Sequence, residues 1–136
     1  MKKSLYIVWS DDNKLGIPIV DEQHRGIAST INSLYYFIIT GHGREVIKPI
    51  MVTLEQFTDI HFRTEESLMA EADYPALDEH AKLHKALVSK TKKVSIDSRR
   101  NKDPYMVLEF LKEWWLVHVN KQDRKYVPFL KKLMDM

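Results

Sequence analysis

Five of the six histidines fall into a fixed order with two carboxylates. His24 stands alone after Asp21-Glu22-Gln23. His61 is followed four residues on by Glu65, His80 by His84, and His118 five residues on by Asp123. Imidazole nitrogen and carboxylate oxygen are the borderline-to-hard donors that suit iron and related transition metals. Four separate segments each supply one or two of these donors, as a metal site inside a helical bundle requires.

Residues four apart on an α-helix differ by only about 40° in direction, so each such pair aims at one point. His61 with Glu65, and His80 with His84, lie on the apolar stripes of their segments, which places that point inside the molecule. Five residues rotate a straight α-helix by about 140°, so His118 and Asp123 meet only if the helix ends or distorts near Asn120. Burying this many polar groups without a common partner costs about 1–3 kcal/mol each, more than a marginally stable domain tolerates. A shared metal centre removes that cost. His42, between Gly41 and Gly43, has no partner at such a spacing and reads as a solvated loop residue.

The donor set excludes several alternatives. Cysteine is absent, so thiolate metal sites, disulfides and thiol nucleophiles are out. Seven protein ligands are too many for one tetrahedral zinc. They fit two octahedral metals that share Glu65 and Asp123 as bridges. A ferritin-like centre would use mostly glutamates with Glu-x-x-His pairs, and none occurs at these positions. Imidazole-rich ligation leaves the metals with less negative charge, which favours reversible oxygen binding over stabilising high-valent iron.

Four segments with helical periodicity must carry these residues. The first, about 20–40, places Ile27, Ile31, Leu34 and Ile38 on the stripe of His24, and Gly41-His42-Gly43 stops it. The second, about 45–72, carries Ile47, Ile50, Leu54, Phe57, His61, Glu65 and Leu68. Pro49 is expected within its first turn or so, where proline is tolerated. Asp73-Tyr74-Pro75 turns the chain. The third, about 76–94, presents Leu77, His80, Leu83, His84 and Leu87. The polar run Ser95–Lys102 is expected to be the longest connector. Asp103-Pro104 caps and opens a fourth helix with Leu108, Leu111, Trp115 and His118. Val127-Pro128 is expected to break the pattern before a short helix over 128–133. The expected fold is an all-α, up-down-up-down antiparallel four-helix bundle. It has an irregular N-terminal arm over 1–18, a bundle over about 20–122 and one domain over 1–136.

The composition, 44% hydrophobic and 29% charged, is that of an ordinary soluble domain. A formal net charge of +2, with basic clusters broken by other residue types, argues against nucleic-acid binding. The apolar stretch after Lys2-Lys3 is too short for a secretory leader or a membrane span, so a cytoplasmic location is expected.

The order of the ligands, with Asp-Glu-Gln-His at His24 and His-Phe-x-x-Glu-Glu from His61 to Glu66, closely resembles hemerythrins, above all the single-domain bacteriohemerythrins. The resemblance runs from about Val8 to Phe129 and includes all seven ligand positions. It implies two iron ions in a non-haem, oxo- or hydroxo-bridged pair. His80, His84 and His118 would bind one iron, His24 and His61 the other, and Glu65 and Asp123 would bridge them. It also implies reversible O2 binding at the iron with two histidines, for storage, transport or delivery. Ile27, Phe62, Trp114, Trp115 and Val119 would wall off that position from water. Hemerythrins usually have Trp-Leu where this chain has Trp114-Trp115, so the second indole bears on pocket size. The expectation is an oxygen-binding monomer rather than an enzyme, with O2 as its ligand and an unidentified oxygen-consuming protein as candidate partner. Two rival readings are a di-iron enzyme acting on peroxide, nitric oxide or ferrous iron, and a stand-alone oxygen sensor.

Overall fold

Apolar stripes on three long helices and a shorter fourth close around one another in the computed structural model, which describes residues 5–134 apart from the side chains of Leu116 and Asn120. The expected arm and domain therefore extend at residues 1–4 and 135–136 beyond what is described. Helix α1 spans Pro18–Ile39, α2 Gly43–Glu71, α3 Leu77–Asn101 and α4 Pro104–Glu113. A π-helical stretch (Trp114–Gln122) and a 3-10 turn (Asp123–Tyr126) continue α4 into α5 (Val127–Met134).

Contacts between helices establish the antiparallel order. Gln23 on α1 reaches Thr64 on α2, whereas Gly26, one turn later, faces Phe57, earlier on α2. On α3, His84 lies beside His118, their rings tilted and 5.1 Å apart, and Lys90 pairs with the earlier residue Glu113. The turns are tight. Gly41 takes φ 82° after α1, Asp73 φ 53° after α2 and Lys102 φ 52° after α3. Asp103 then caps α4, its carboxylate accepting from the Tyr105 N–H at 3.1 Å, with Pro104 at the first helical position.

Two apolar clusters flank the polar centre. One is built from Ile27, Ile31, Leu34 and Ile38 of α1, Ile47, Met51 and Leu54 of α2, and Val107, Phe110 and Leu111 of α4. The other joins Leu15, Ile17, Val20, Met69, Tyr74, Tyr126 and Leu130. On α1 and α2 one candidate ligand of each falls between the two clusters. His24 lies between Val20 and Ile27, and Glu65 between Phe62 and Met69. The N-terminal arm is held across the bundle. Asn32 exchanges two 2.7 Å hydrogen bonds with the backbone of Ile7, and Asp21 accepts from the N–H groups of Leu15 and Gly16.

Several expectations are corrected. Ser95–Lys102 is no connector, because α3 continues to Asn101. The run holds no glycine or proline, and its buried serines turn inward, Ser98 Oγ donating to the Ser95 carbonyl. The Ser98 hydroxyl is therefore satisfied by the helix itself. Leu83 is 38% exposed and off the core stripe, and the buried positions of α3 are His80, His84, Thr91, Ser95 and Ser98. Because α2 starts at Gly43, Pro49 falls in its second turn, on the exposed face. Val127 stays α-helical at φ −53°, ψ −48°, since Pro128 sits in the first turn of α5, where its missing N–H has no partner to lose. Pro18 belongs to α1 rather than to the arm, and the arm itself contains a 3-10 turn at Asp11–Asn13. Among the described residues, no helix is long and apolar enough to cross a membrane.

Candidate metal centre

The five histidines and two carboxylates converge on one buried volume. His24, His61, Glu65 and Asp123 are 0% exposed, and His80, His84 and His118 are 4% or less. The i, i+4 pairs meet as helix geometry requires. His61 Nε2 lies 2.9 Å from Glu65 Oε1, and the rings of His80 and His84 are 4.6 Å apart. The i, i+5 pair meets because the helix changes type. The Asp123 N–H bonds to the His118 carbonyl, the i→i+5 bond of a π turn, and His118 Nε2 lies 3.1 Å from Asp123 Oδ1.

Each carboxylate faces imidazoles of both sets, Asp123 through its two oxygens and Glu65 through Oε1 alone. Asp123 Oδ2 faces His24 Nε2 at 3.1 Å, while Oδ1 faces His80 Nε2 at 3.2 Å and His118 Nε2 at 3.1 Å. Glu65 Oε1 lies between His61 Nε2 at 2.9 Å and His84 Nε2 at 3.5 Å. Two groups of donor atoms result, each drawn together within 4.8 Å: Glu65, His80, His84, His118 and Asp123 in one, His24, His61, Glu65 and Asp123 in the other. Both carboxylates belong to both groups.

The arrangement does not satisfy itself. Glu65 Oε1, both Asp123 oxygens and the Nε2 atoms of His80, His84 and His118 are buried without a hydrogen-bond partner, although they lie about 3 Å from one another. Buried donor atoms gathered this closely without bonding to one another are the arrangement that a metal ion can satisfy. Donors about 2.1 Å from a metal and at right angles to one another lie about 3.0 Å apart, which matches the observed spacing. The residues therefore fit a cation.

Electrostatics agree. Burial raises both carboxyl groups, and Asp123 raises Glu65 further, yet the imidazoles of His61 and His84 bring Glu65 down to about 2. Burial likewise opposes ionisation of Asp123, but His118, His24 and His80 hold it well below its ordinary value. Both carboxylates are thus anionic, as metal ligands must be. Burial lowers His84, but Glu65 and Glu66 outweigh it and raise the imidazole above its ordinary value.

Three residues around the centre were not picked out from the sequence. Tyr126 donates its hydroxyl to Glu65 Oε2 at 2.5 Å. Gln23 Oε1 accepts from His61 Nδ1 at 2.7 Å, and Glu66 Oε2 from His84 Nδ1 at 2.9 Å. Outer partners of this kind fix the tautomer and direction of a metal-binding imidazole. Gln23 and Glu66 are adjacent in sequence to His24 and Glu65, so the Gln-His and Glu-Glu dipeptides carried a signal. Tyr126 follows Asp123 by three residues, but the expected break at Pro128 hid that spacing.

The expected pocket residues are all buried: Ile27 0%, Phe62 4%, Trp114 4%, Trp115 4% and Val119 1%. They divide between the two sides. Phe62 lies flat on His84, with ring centroids 3.8 Å apart at 8°, and also flanks His61 at 5.9 Å. Trp114 stacks on His118 at 6.2 Å, on the side with three histidines. Trp115 presents its edge toward His24 at 6.3 Å and packs against Trp9 of the arm at 6.2 Å. His42 is exposed, at 3.3 Å from Glu45, away from this cluster.

Residues 15–130 match the family described as Hemerythrin HHE cation binding domain. Among curated relatives, the bacteriohemerythrin of Stenotrophomonas maltophilia is 29% identical over 126 residues, covering 92% of this chain and 82% of the relative. The bacteriohemerythrin of Clostridium acetobutylicum is 28% identical, covering 88% of this chain and 98% of the relative. The myohemerythrin of Riftia pachyptila is 26% identical, covering 88% and 89%. None of the three carries the name of an enzyme. With the family match spanning all four helices and every residue of the buried donor cluster, the chain belongs to the hemerythrin HHE family.

Proposed function

We propose that this chain holds two iron ions and uses them to bind O2 reversibly. His80, His84 and His118 hold one ion, His24 and His61 the other, and Glu65 and Asp123 serve both. The observation that carries this reading is the pair of overlapping donor groups, with three imidazoles in one, two in the other and both carboxylates in common. A ferrous pair held there would supply two electrons to O2 on binding and recover them on release.

The protein's own residues do the rest. The group with fewer histidines has one donor fewer, which leaves room for a small ligand there. Trp115 beside His24 and Phe62 beside His61, with the buried Ile27 and Val119, keep out bulk water, whose protons would make the electron transfer irreversible. Tyr126 holds one oxygen of Glu65 by a hydrogen bond, so that its carboxylate keeps one orientation as charge at the centre changes. Trp115 stands against His24, so the size of the ligand space on that side depends on a bulky indole.

Metal analysis together with oxygen titration of the reduced protein tests the reading. Two irons per chain, and an absorption spectrum that cycles repeatedly between deoxygenated and oxygenated forms, are expected. Prompt conversion to a ferric form with turnover of peroxide or nitric oxide would make the protein an enzyme instead.

A further inference from the structure

The imidazoles of the centre differ in what stands behind them. His61 Nδ1 donates to Gln23 Oε1 at 2.7 Å, and the Gln23 amide nitrogen donates to Thr64 Oγ1 at 3.1 Å. Thr64 in turn donates to the Ile60 carbonyl at 2.9 Å. This relay turns the amide oxygen toward His61 and keeps its nitrogen away. His24 Nδ1 is buried with no hydrogen-bond partner among the described residues. The histidines facing one half of the centre are therefore backed by a neutral amide alone. In the other half, His84 Nδ1 meets the Glu66 carboxylate at 2.9 Å, and Glu66 stands 38% exposed at the surface. Among the described residues, it is the only carboxylate bonded to the outer nitrogen of a histidine of the centre.

We propose that Glu66 and Gln23 are positioning residues that make the two metal positions electronically unequal, so that the ion held by His84 is the more easily oxidised of the two. The inference rests on the di-iron reading. A carboxylate behind a ligating imidazole raises its basicity, and a more strongly donating ligand favours the higher oxidation state of its metal. An amide fixes the ring and its tautomer without adding charge. Oxidation of the diferrous protein by one equivalent of ferricyanide then takes one electron from the ion on the His84 side. That ion would become ferric as ferricyanide becomes ferrocyanide. Solvent at Glu66 weakens the effect but does not abolish it, because the 2.9 Å contact is direct.

The geometry lets the charge be separated from the packing. Phe62 lies flat on the His84 ring at 3.8 Å, so the ring stays oriented when Glu66 becomes a glutamine of the same shape. The experiment compares the iron-loaded parent, Glu66→Gln, Gln23→Glu and the double variant, by iron content and by spectroelectrochemical titration of both one-electron midpoints. Glu66→Gln is expected to keep two irons and raise the lower midpoint by about a tenfold change in the ferric-to-ferrous ratio, ~59 mV for one electron, with a smaller shift of the higher one. Gln23→Glu is expected to lower the higher midpoint and narrow the gap. Unchanged midpoints in an iron-replete Glu66→Gln protein, or equal shifts of both, overturn the proposal. If Glu66→Gln loses iron, Gln23→Glu decides, and a higher midpoint that does not fall is refutation. A parent chain with fewer than two irons defeats the di-iron reading itself, which keeps the two failures apart.

Discussion

Replacing Tyr126 with phenylalanine removes one oxygen atom from the middle of the molecule and leaves the shape of the core intact. Tyr126 is 0% exposed, and its ring packs with Leu15, Ile17, Val20, Met69 and Leu130 and beside His80 at 5.6 Å. Phenylalanine fills the same space, so no cavity forms. What disappears is the hydrogen bond to Glu65 Oε2 at 2.5 Å. Burial, with the charges of Glu65 and Asp123, pushes the phenol far above its ordinary value, so the hydroxyl is a donor at every accessible pH. A hydrogen bond to a buried carboxylate contributes about 1.5–3 kcal/mol. A domain of this size loses roughly 3–5 °C of Tm per kcal/mol, so the metal-free variant should melt roughly 5–15 °C below the parent. Bound cations neutralise much of the charge on Glu65, so the loss should shrink to less than about half of that in the iron-loaded protein. Thermal melts of both proteins, with and without iron, supply the four numbers. A metal-free variant within about 1 °C of the parent would refute the reasoning. So would equal losses in the two forms, because the hydroxyl would then not be acting on the charge of Glu65.

Two further outcomes follow from the same geometry. His61→Ala takes a donor from the group of His24, His61, Glu65 and Asp123 and none from the other group, so metal analysis should fall from two irons per chain toward one; full occupancy would remove His61 from the ligand set. pH should act in opposite directions on the two forms of the protein. The His84 pKa is raised in the folded, metal-free chain, so its contribution to stability is complete below the ordinary value of 6.5 and fades as pH rises through the raised one. Glu65 and Asp123 are held down, so their contribution is complete above their ordinary values of 4.5 and 3.8 and fades only in stronger acid. Between about pH 5 and 8, metal-free melts should therefore weaken with rising pH at the His84 contribution. Iron absorbance over the same range should weaken with falling pH, as protons displace the metal from imidazole. Parallel trends in the two measurements would refute the shared use of His84.

The fold and the donor set were legible in the sequence because both follow from periodicity. Apolar residues every three or four positions define the stripes, and a histidine on a stripe at i and i+4 is buried beside its partner. The errors arose where residue type was read as position. Ser95 and Ser98 suggested a loop by composition, yet serine beside a neighbouring helix is small enough to pack and bonds to its own turn. Pro128 suggested a break, yet proline in the first turn of a following helix interrupts nothing. The outer residues were hidden for a different reason. Periodicity assigns Gln23 and Glu66 to faces next to the ligand stripes, but which atom reaches His61 or His84 depends on how α1, α2 and α3 are juxtaposed. No single helix encodes that.

The one spacing that periodicity forbade proves the most informative. His61–Glu65 and His80–His84 use the four-residue interval of the α-helix, but His118–Asp123 uses five. In an α-helix Asp123 would point about 140° away from His118. It would then be lost to both donor groups at once, since its two oxygens face His24 on one side and His80 and His118 on the other. The chain instead adopts the rare hydrogen-bond pattern whose own interval is five, and the Asp123 N–H to His118 carbonyl bond stacks the carboxylate over the imidazole. Helix type and ligand spacing thus imply one another. π-helix is well under 1% of residues in globular proteins. Its appearance over Trp114–Gln122, where Asp123 needs it to reach both donor groups, argues that this segment is shaped by the centre rather than by packing alone.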